Sequence, residues 1–147
     1  DELDLKRYLG RWYEIARYDH RFERGMSEVT ATYTLLPNGT LRVENEGVRN
    51  EEGKKIHNKA IGKAYVPDPA FPGRLKVSFF LWFYSDYYVF ELDREGYNYA
   101  LIGSSSDKYL WILSRTPHLP EDIKKKLLHA AAQRGYDTGK LMWIEQI

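Results

Sequence analysis

The feature that most constrains this chain is a succession of eight short segments with the two-residue alternation of β-strands, each parted from the next by a turn signal. They are expected at residues 11–19, 28–36, 40–47, 56–66, 74–83, 87–92, 97–103 and 108–114. The separators hold residues that turns require: Pro37-Asn38-Gly39, Gly53 in a charged loop, a run with Pro67, Pro69 and Pro72, then Ser85-Asp86 and Gly96. Short connections make neighbouring strands antiparallel, and an open meander of this size exposes two edges. Closing the sheet into a barrel removes both edges and leaves room inside for side chains or one small ligand.

The period changes after the eighth segment. Pro120-Glu121-Asp122 suits a helix start, and Ile123, Leu127, Ala130 and Ala131 form an apolar stripe at helical spacing. Lys124, Lys125 and Lys126 form its solvated face, and Gly135 suits its C-terminal cap. A short ninth strand is expected over 141–144. With no internal repeat, residues 1–147 read as a single all-β domain with one added helix.

Composition narrows the function. Twelve Tyr, six Phe and four Trp exceed what a minimal core needs, so an aromatic-lined interior is expected. The 22 basic and 21 acidic residues show no block of one sign, which argues against a nucleic-acid partner. There is no cysteine, which excludes disulfide, zinc–thiolate and thiol-nucleophile chemistry. His20, His57, His118 and His129 lack metal-ligand spacing, so neither metal nor cofactor is expected. The apolar run 79–84 is too short to span a bilayer. The chain starts at Asp1 rather than Met, which reads as a trimmed form. Peripheral membrane association through a lipidated leader fits that start.

Two distant motifs complete the pattern. Gly10-Arg11-Trp12-Tyr13-Glu14-Ile15-Ala16 opens the first strand: a glycine allows a tight backbone turn, and an indole then turns under the sheet end. Far along the chain, Tyr109-Leu110-Trp111-Ile112-Leu113-Ser114-Arg115 ends the eighth. With Gly10, Trp12 and Arg115 in these places, and Asp93 in the turn 92–94, the chain resembles the lipocalins over about residues 3–146. The strings Trp12-Tyr13-Glu14-Ile15-Ala16-Arg17 and Asp19-His20-Arg21-Phe22-Glu23-Arg24-Gly25 resemble the bacterial branch related to apolipoprotein D. Only the Asp of the middle signature matches in Leu92-Asp93-Arg94, and the disulfides of apolipoprotein D are missing.

The resemblance implies an eight-stranded antiparallel up-and-down β-barrel, one C-terminal helix packed outside and a short ninth strand. It implies a floor in which Arg115 lies over Trp12. It implies a mouth ringed by loops at 20–27, 48–55, 82–86 and 104–107, bearing Phe22, Arg24, Trp82 and Tyr84. The implied function is non-enzymatic carriage of a small lipid, fatty acids or lysophospholipids first, in a bacterial periplasm or at the outer membrane. A monomer and a homodimer both fit.

Alternation then assigns the wall. Ala16 and Tyr18, then Val29, Ala31 and Tyr33, then Leu41, Val43 and Asn45 are expected to face inward. So are Ala60, Val77, Phe79, Tyr88 and Phe90, and finally Ala100, Ile102, Tyr109 and Trp111. A one-residue slip would exchange either face for the other. Glu14 shares the Trp12 face, where a buried carboxylate needs a partner or a proton. Two further readings stay open: an enzyme acting on a lipid or pigment with Glu14 as base, and a haem or tetrapyrrole binder with His20 or His57 turned inward.

Overall fold

The computed structural model describes residues 4–18, 26–80, 83–104, 109–144 and 146. Nine strands make one sheet: β1 Gly10–Tyr18, β2 Met26–Leu35, β3 Leu41–Glu51, β4 Lys54–Tyr65, β5 Arg74–Phe80, β6 Phe83–Leu92, β7 Tyr99–Gly103, β8 Leu110–Ser114 and β9 Leu141–Trp143. Their order is β2-β3-β4-β5-β6-β7-β8-β1-β9, and an added β1–β2 pairing closes the barrel.

Closure depends on β1 sharing one of its edges. Its first half pairs with β2, from Gly10 opposite Tyr33 to Tyr13 opposite Thr30. Its second half pairs with β9, from Ala16 opposite Trp143 to Tyr18 opposite Leu141. The other edge pairs with β8 from Tyr13 to Arg17. Gln146 sits at the fork, where its Nε2 donates to the Glu14 carbonyl at 2.7 Å and the Val29 carbonyl at 2.9 Å. Backbone acceptors at a strand divergence need such partners.

Among the described residues, two α-helices lie against the barrel. The single turn α1, Leu5–Tyr8, lies across one end and is capped by the Asp4 side chain, which accepts from the Lys6 N–H. The longer α2, Glu121–Gln133, lies outside the wall. Its buried Leu127, Ala130 and Ala131 join a cluster with Ile15, Leu101, Leu110 and Ile112. The second cluster fills the barrel's closed end: Tyr8, Trp12, Tyr33, Leu41, Val43, Ala64, Leu75, Ala100, Ile102 and Leu113. Fully burying a Leu or Ile side chain of this kind contributes on the order of 1.5–3 kcal/mol.

Two turns differ from the sequence expectation. Glu51 pairs with Lys54 across Glu52 and Gly53, whose φ angles are 50° and 78°. The expected charged loop is therefore a two-residue hairpin of the kind that matches strand twist. At the next hairpin, Phe80 pairs with Phe83, Val77 with Ser85 and Lys76 with Asp86. Strand β6 therefore already begins at Phe83, and Ser85-Asp86 lies inside it. A Ser-Asp pair is a good turn former, but here the flanking ladder wins.

Candidate ligand-binding site

The barrel floor is built from backbone carbonyls gathered under one guanidinium. Arg115 donates from Nη2 to the Arg7 carbonyl at 2.7 Å, from Nη1 to the Arg11 carbonyl at 2.9 Å and from Nε to the Tyr97 carbonyl at 3.2 Å. Its guanidinium carbon lies 3.9 Å from the Trp12 ring centre. The indole N–H donates to the Tyr8 carbonyl at 2.8 Å. Gly10 makes this approach workable: its φ is +101°, and a Cβ there would lie 3.4 Å from Arg115 Nη1. Asp93 holds the neighbouring turn by accepting from the N–H groups of Gly96 and Asn98. Burial works to raise its pKa, but the backbone donors of Asn98, Gly96 and Glu95 outweigh it and hold the carboxyl below its ordinary value.

Above Trp12 the interior is lined by tyrosines. Tyr87 hydrogen-bonds through its hydroxyl to both Tyr8 and Tyr33, the latter at 2.8 Å. Burial pushes Tyr8 and Tyr87 well above the ordinary phenol value, and neighbouring Tyr33 pushes the same way. These phenols therefore stay neutral and serve as hydrogen-bonding wall groups.

Cross-strand pairs identify the inner face of the wall. Trp12 pairs with Ala31, Ala31 with Asn45 and Asn45 with Ala60. Tyr33 pairs with Val43, Ala64 with Val77, and Leu75 with Tyr87. On the far side, Val89 pairs with Ile102, Ile102 with Trp111 and Ala100 with Leu113. Paired residues share a face, so Ala31, Tyr33, Val43, Asn45, Ala60, Val77, Ala100, Ile102 and Trp111 lie on the side that alternation assigns. Leu41 joins them in the core, and Val29 keeps the parity of Ala31 and is fully buried. Tyr109 stacks on Trp111 with ring centres 5.6 Å apart and planes 6° from parallel.

Exposure divides this wall. Leu41, Val43, Ala100 and Ile102 are buried, whereas Asn45, Val77, Val89, Tyr109 and Trp111 are only half-buried and Ala60 is exposed. The ladder between β4 and β5 covers only Lys63 to Tyr65, so the upper β3–β4 hairpin stands clear of the next strand.

Four expected wall residues face the other way. The ladder between β1 and β8 shifts between Glu14 and Ala16, so Arg17 rather than Ala16 shares a face with Trp111. Ala16 and Tyr18 are buried outside the barrel, in the cluster under α2. On β6, Tyr87 shares the inner face of Leu75, which turns Tyr88 and Phe90 outward. Phe90 lies beside Tyr136 with ring centres 6.0 Å apart. Gly103 is the clue to that placement, because a Cβ there would come within 2.2 Å of the Phe90 ring. Phe22, Arg24, Trp82 and His20 lie outside the described residues, as do the side chains of Phe79 and Tyr84. His57 is on the outer surface, 3.3 Å from Glu46, so it cannot serve as the inward haem ligand.

The shift on β1 also places a charge pair that alternation misses. Arg17 is fully buried, with its Nη1 3.4 Å from Oε1 of buried Glu14. Their i,i+3 spacing on a strand would put them on opposite faces, and only the bulge unites them. The carboxylate thus answers a guanidinium, which is how buried charges are tolerated.

These features agree with known proteins. The sequence pattern of a Lipocalin-like domain matches residues 3–146. The chain is 47% identical over 146 residues to the "Outer membrane lipoprotein Blc" of Escherichia coli, spanning 99% of this chain and 81% of that protein. It is 46% identical over 145 residues to the protein of the same name from Vibrio cholerae, spanning 99% and 84%. Apolipoprotein D of Rattus norvegicus is 32% identical over 154 residues, spanning 99% and 78%. In fold, the chain superposes on lobster apocrustacyanin A1 with a TM-score of 0.75 at 21% identity, over 97% of this chain and 79% of that one. Insecticyanin from the tobacco hornworm gives 0.75 at 20% identity, over 100% and 82%. With the pattern matched along nearly its whole length, the barrel closed and Arg115 seated over Trp12, this chain belongs to the lipocalin family.

Proposed function

We propose that this protein is a non-enzymatic carrier that holds one hydrophobic or amphipathic molecule in the upper half of its barrel. The observation that carries the reading is the set of inward apolar side chains left only partly buried at and beyond the edge of the closed-end cluster: Val77, Tyr109 and Trp111. Apolar surface facing a cavity gains free energy when an acyl chain covers it, roughly 0.8 kcal/mol per methylene. The aromatic wall favours extended or flat apolar bodies. Fatty acids and lysophospholipids are the ligands put forward. The site of action put forward is the bacterial periplasm or outer membrane, as the names of the bacterial relatives support. Glu14 belongs to the Arg17 ion pair, which supports a structural carboxylate over a general base.

Native mass spectrometry of the purified protein tests the reading. A one-to-one adduct with a lipid mass supports it. Protein that stays ligand-free and takes up no fatty acid or lysophospholipid when challenged refutes it. The enzyme alternative is met by incubating wild type and Glu14→Gln with a lipid panel. No product is expected from either, and a product lost in the variant overturns the carrier reading.

A further inference from the structure

The aromatic residues turned out of the barrel do not all vanish under α2. Tyr88 and Phe90 contribute to a groove on the outer wall, together with Phe71, Arg74, Arg94 and Arg134, in a cavity of about 620 Å³. That volume lies within the range of small-molecule sites. We propose that this groove is a second binding site, distinct from the barrel interior, for a dissolved amphiphile with one anionic group.

Charge supports this occupant. The lining includes three arginines and no acidic residue. Arg134 is committed: it donates to the Ala130 and Phe90 carbonyls and pairs with Glu91 at 2.9 Å while lying 5.1 Å from the Phe90 ring centre. Arg74 is different. Its guanidinium lies 4.6 Å from the Phe71 ring centre and 5.9 Å from that of Tyr88, and no carboxylate among the described residues pairs with it. A guanidinium laid against rings keeps its N–H edge free, and that edge matches a carboxylate or phosphate in two-point geometry. Beside it, Phe71 is 47% exposed and offers an apolar surface to the body of the same molecule.

The groove is shaped before any ligand arrives. Asp68 accepts from the Ala70 N–H through its side chain and from the Phe71 N–H through its carbonyl. The Arg74 N–H donates to the Phe71 carbonyl, and the Gly73 carbonyl accepts from Val89 at 2.8 Å. These bonds tie the 68–74 segment to β6, so little ordering cost remains on binding. Tyr88 and Phe90 lie on the outer face of β6, opposite Tyr87, while Val89 and Leu92 line the groove at its base, so the groove and the barrel interior share one strand as their wall.

The test is an NMR titration with decyl phosphate below its aggregation concentration, with decyltrimethylammonium and inorganic phosphate as separate probes. Decyl phosphate is expected to shift the amides of Phe71, Arg74 and Tyr88 saturably, both in wild type and in a Val77→Trp variant whose barrel is filled. Arg74→Glu, a change at an exposed position, is expected to weaken those shifts about tenfold or more. Phe71→Ala is expected to weaken them several-fold, and neither change should alter displacement of a barrel-bound fluorescent fatty acid. The proposal is overturned by shifts that never saturate, by equal binding of the cationic amphiphile, or by an Arg74→Glu variant that binds as wild type does. Because the groove is read at its own amides, a barrel that binds nothing would refute the carrier reading and leave this site standing.

Discussion

The lower and upper halves of this barrel are made from the same strands but obey different demands. At the floor the inward side chains pack into one buried cluster, and even the charged Arg115 spends its donors on three backbone carbonyls. At the edge of that cluster and beyond it, Val77, Trp111 and Tyr109 face inward and stay only partly buried. A filled interior stabilises the fold, and an unfilled one leaves favourable burial for a ligand to supply. On the proposed reading stability is concentrated at one end and binding at the other, so substitutions in the two halves should separate the two properties.

The largest separation is expected from Arg115→Ala. It removes three charge-assisted hydrogen bonds and the stacking on Trp12. A loss of about 3 kcal/mol is expected, lowering the melting temperature by roughly 6–12 °C while fatty-acid affinity stays within a few-fold. Calorimetry beside a displacement titration checks it, and an unchanged melting point breaks the comparison at its strongest place. Ala100→Trp comes next. Ala100 is fully buried in the floor cluster, so the indole overpacks filled space and is expected to cost about 1–3 kcal/mol of stability.

A smaller and subtler effect concerns the buried phenols. Tyr8 and Tyr87 have pKa values raised in the folded state, so their contribution is fully present below the unfolded phenol value near 10. It is lost as pH rises above that value, because the unfolded chain then releases protons that the folded one retains. Stability is therefore expected to fall more steeply above about pH 10 in wild type than in Tyr87→Phe, which itself costs about 1 kcal/mol at neutral pH. Parallel alkaline melts that coincide in slope would remove the phenol chain from the account.

The division between the halves was partly legible in the chain itself. Clean alternation on β3, β7 and β8, and on β2 beyond the shift between Ser27 and Thr30, assigns Ala31, Tyr33, Val43, Ala100, Ile102 and Trp111 to the inner face, because regular pairing preserves a period of two. The Gly10, Trp12 and Arg115 floor was legible for another reason: each residue type has a specific geometric task. Alternation failed where the ladder is irregular. The shift after Glu14 turned Ala16 and Tyr18 outward and brought Arg17 in, and no local composition announces that extra residue. On β6 the competition between a Ser-Asp turn signal and an aromatic run concealed the strand's start at Phe83, and with it the outward placement of Tyr88 and Phe90.

Displacement of a fluorescent fatty acid from wild type and from Val77→Trp tests the central claim most directly. Val77 pairs with Ala64 on the inner wall at the boundary between the halves, and an indole there displaces about three methylenes of ligand. With melting temperatures matched to within a few degrees, the expected result is one equivalent bound by wild type and an affinity about fiftyfold weaker in the variant, equivalent to about 2.4 kcal/mol. Equal affinity in the two proteins would place the ligand elsewhere and contradict the assignment of binding to the upper barrel.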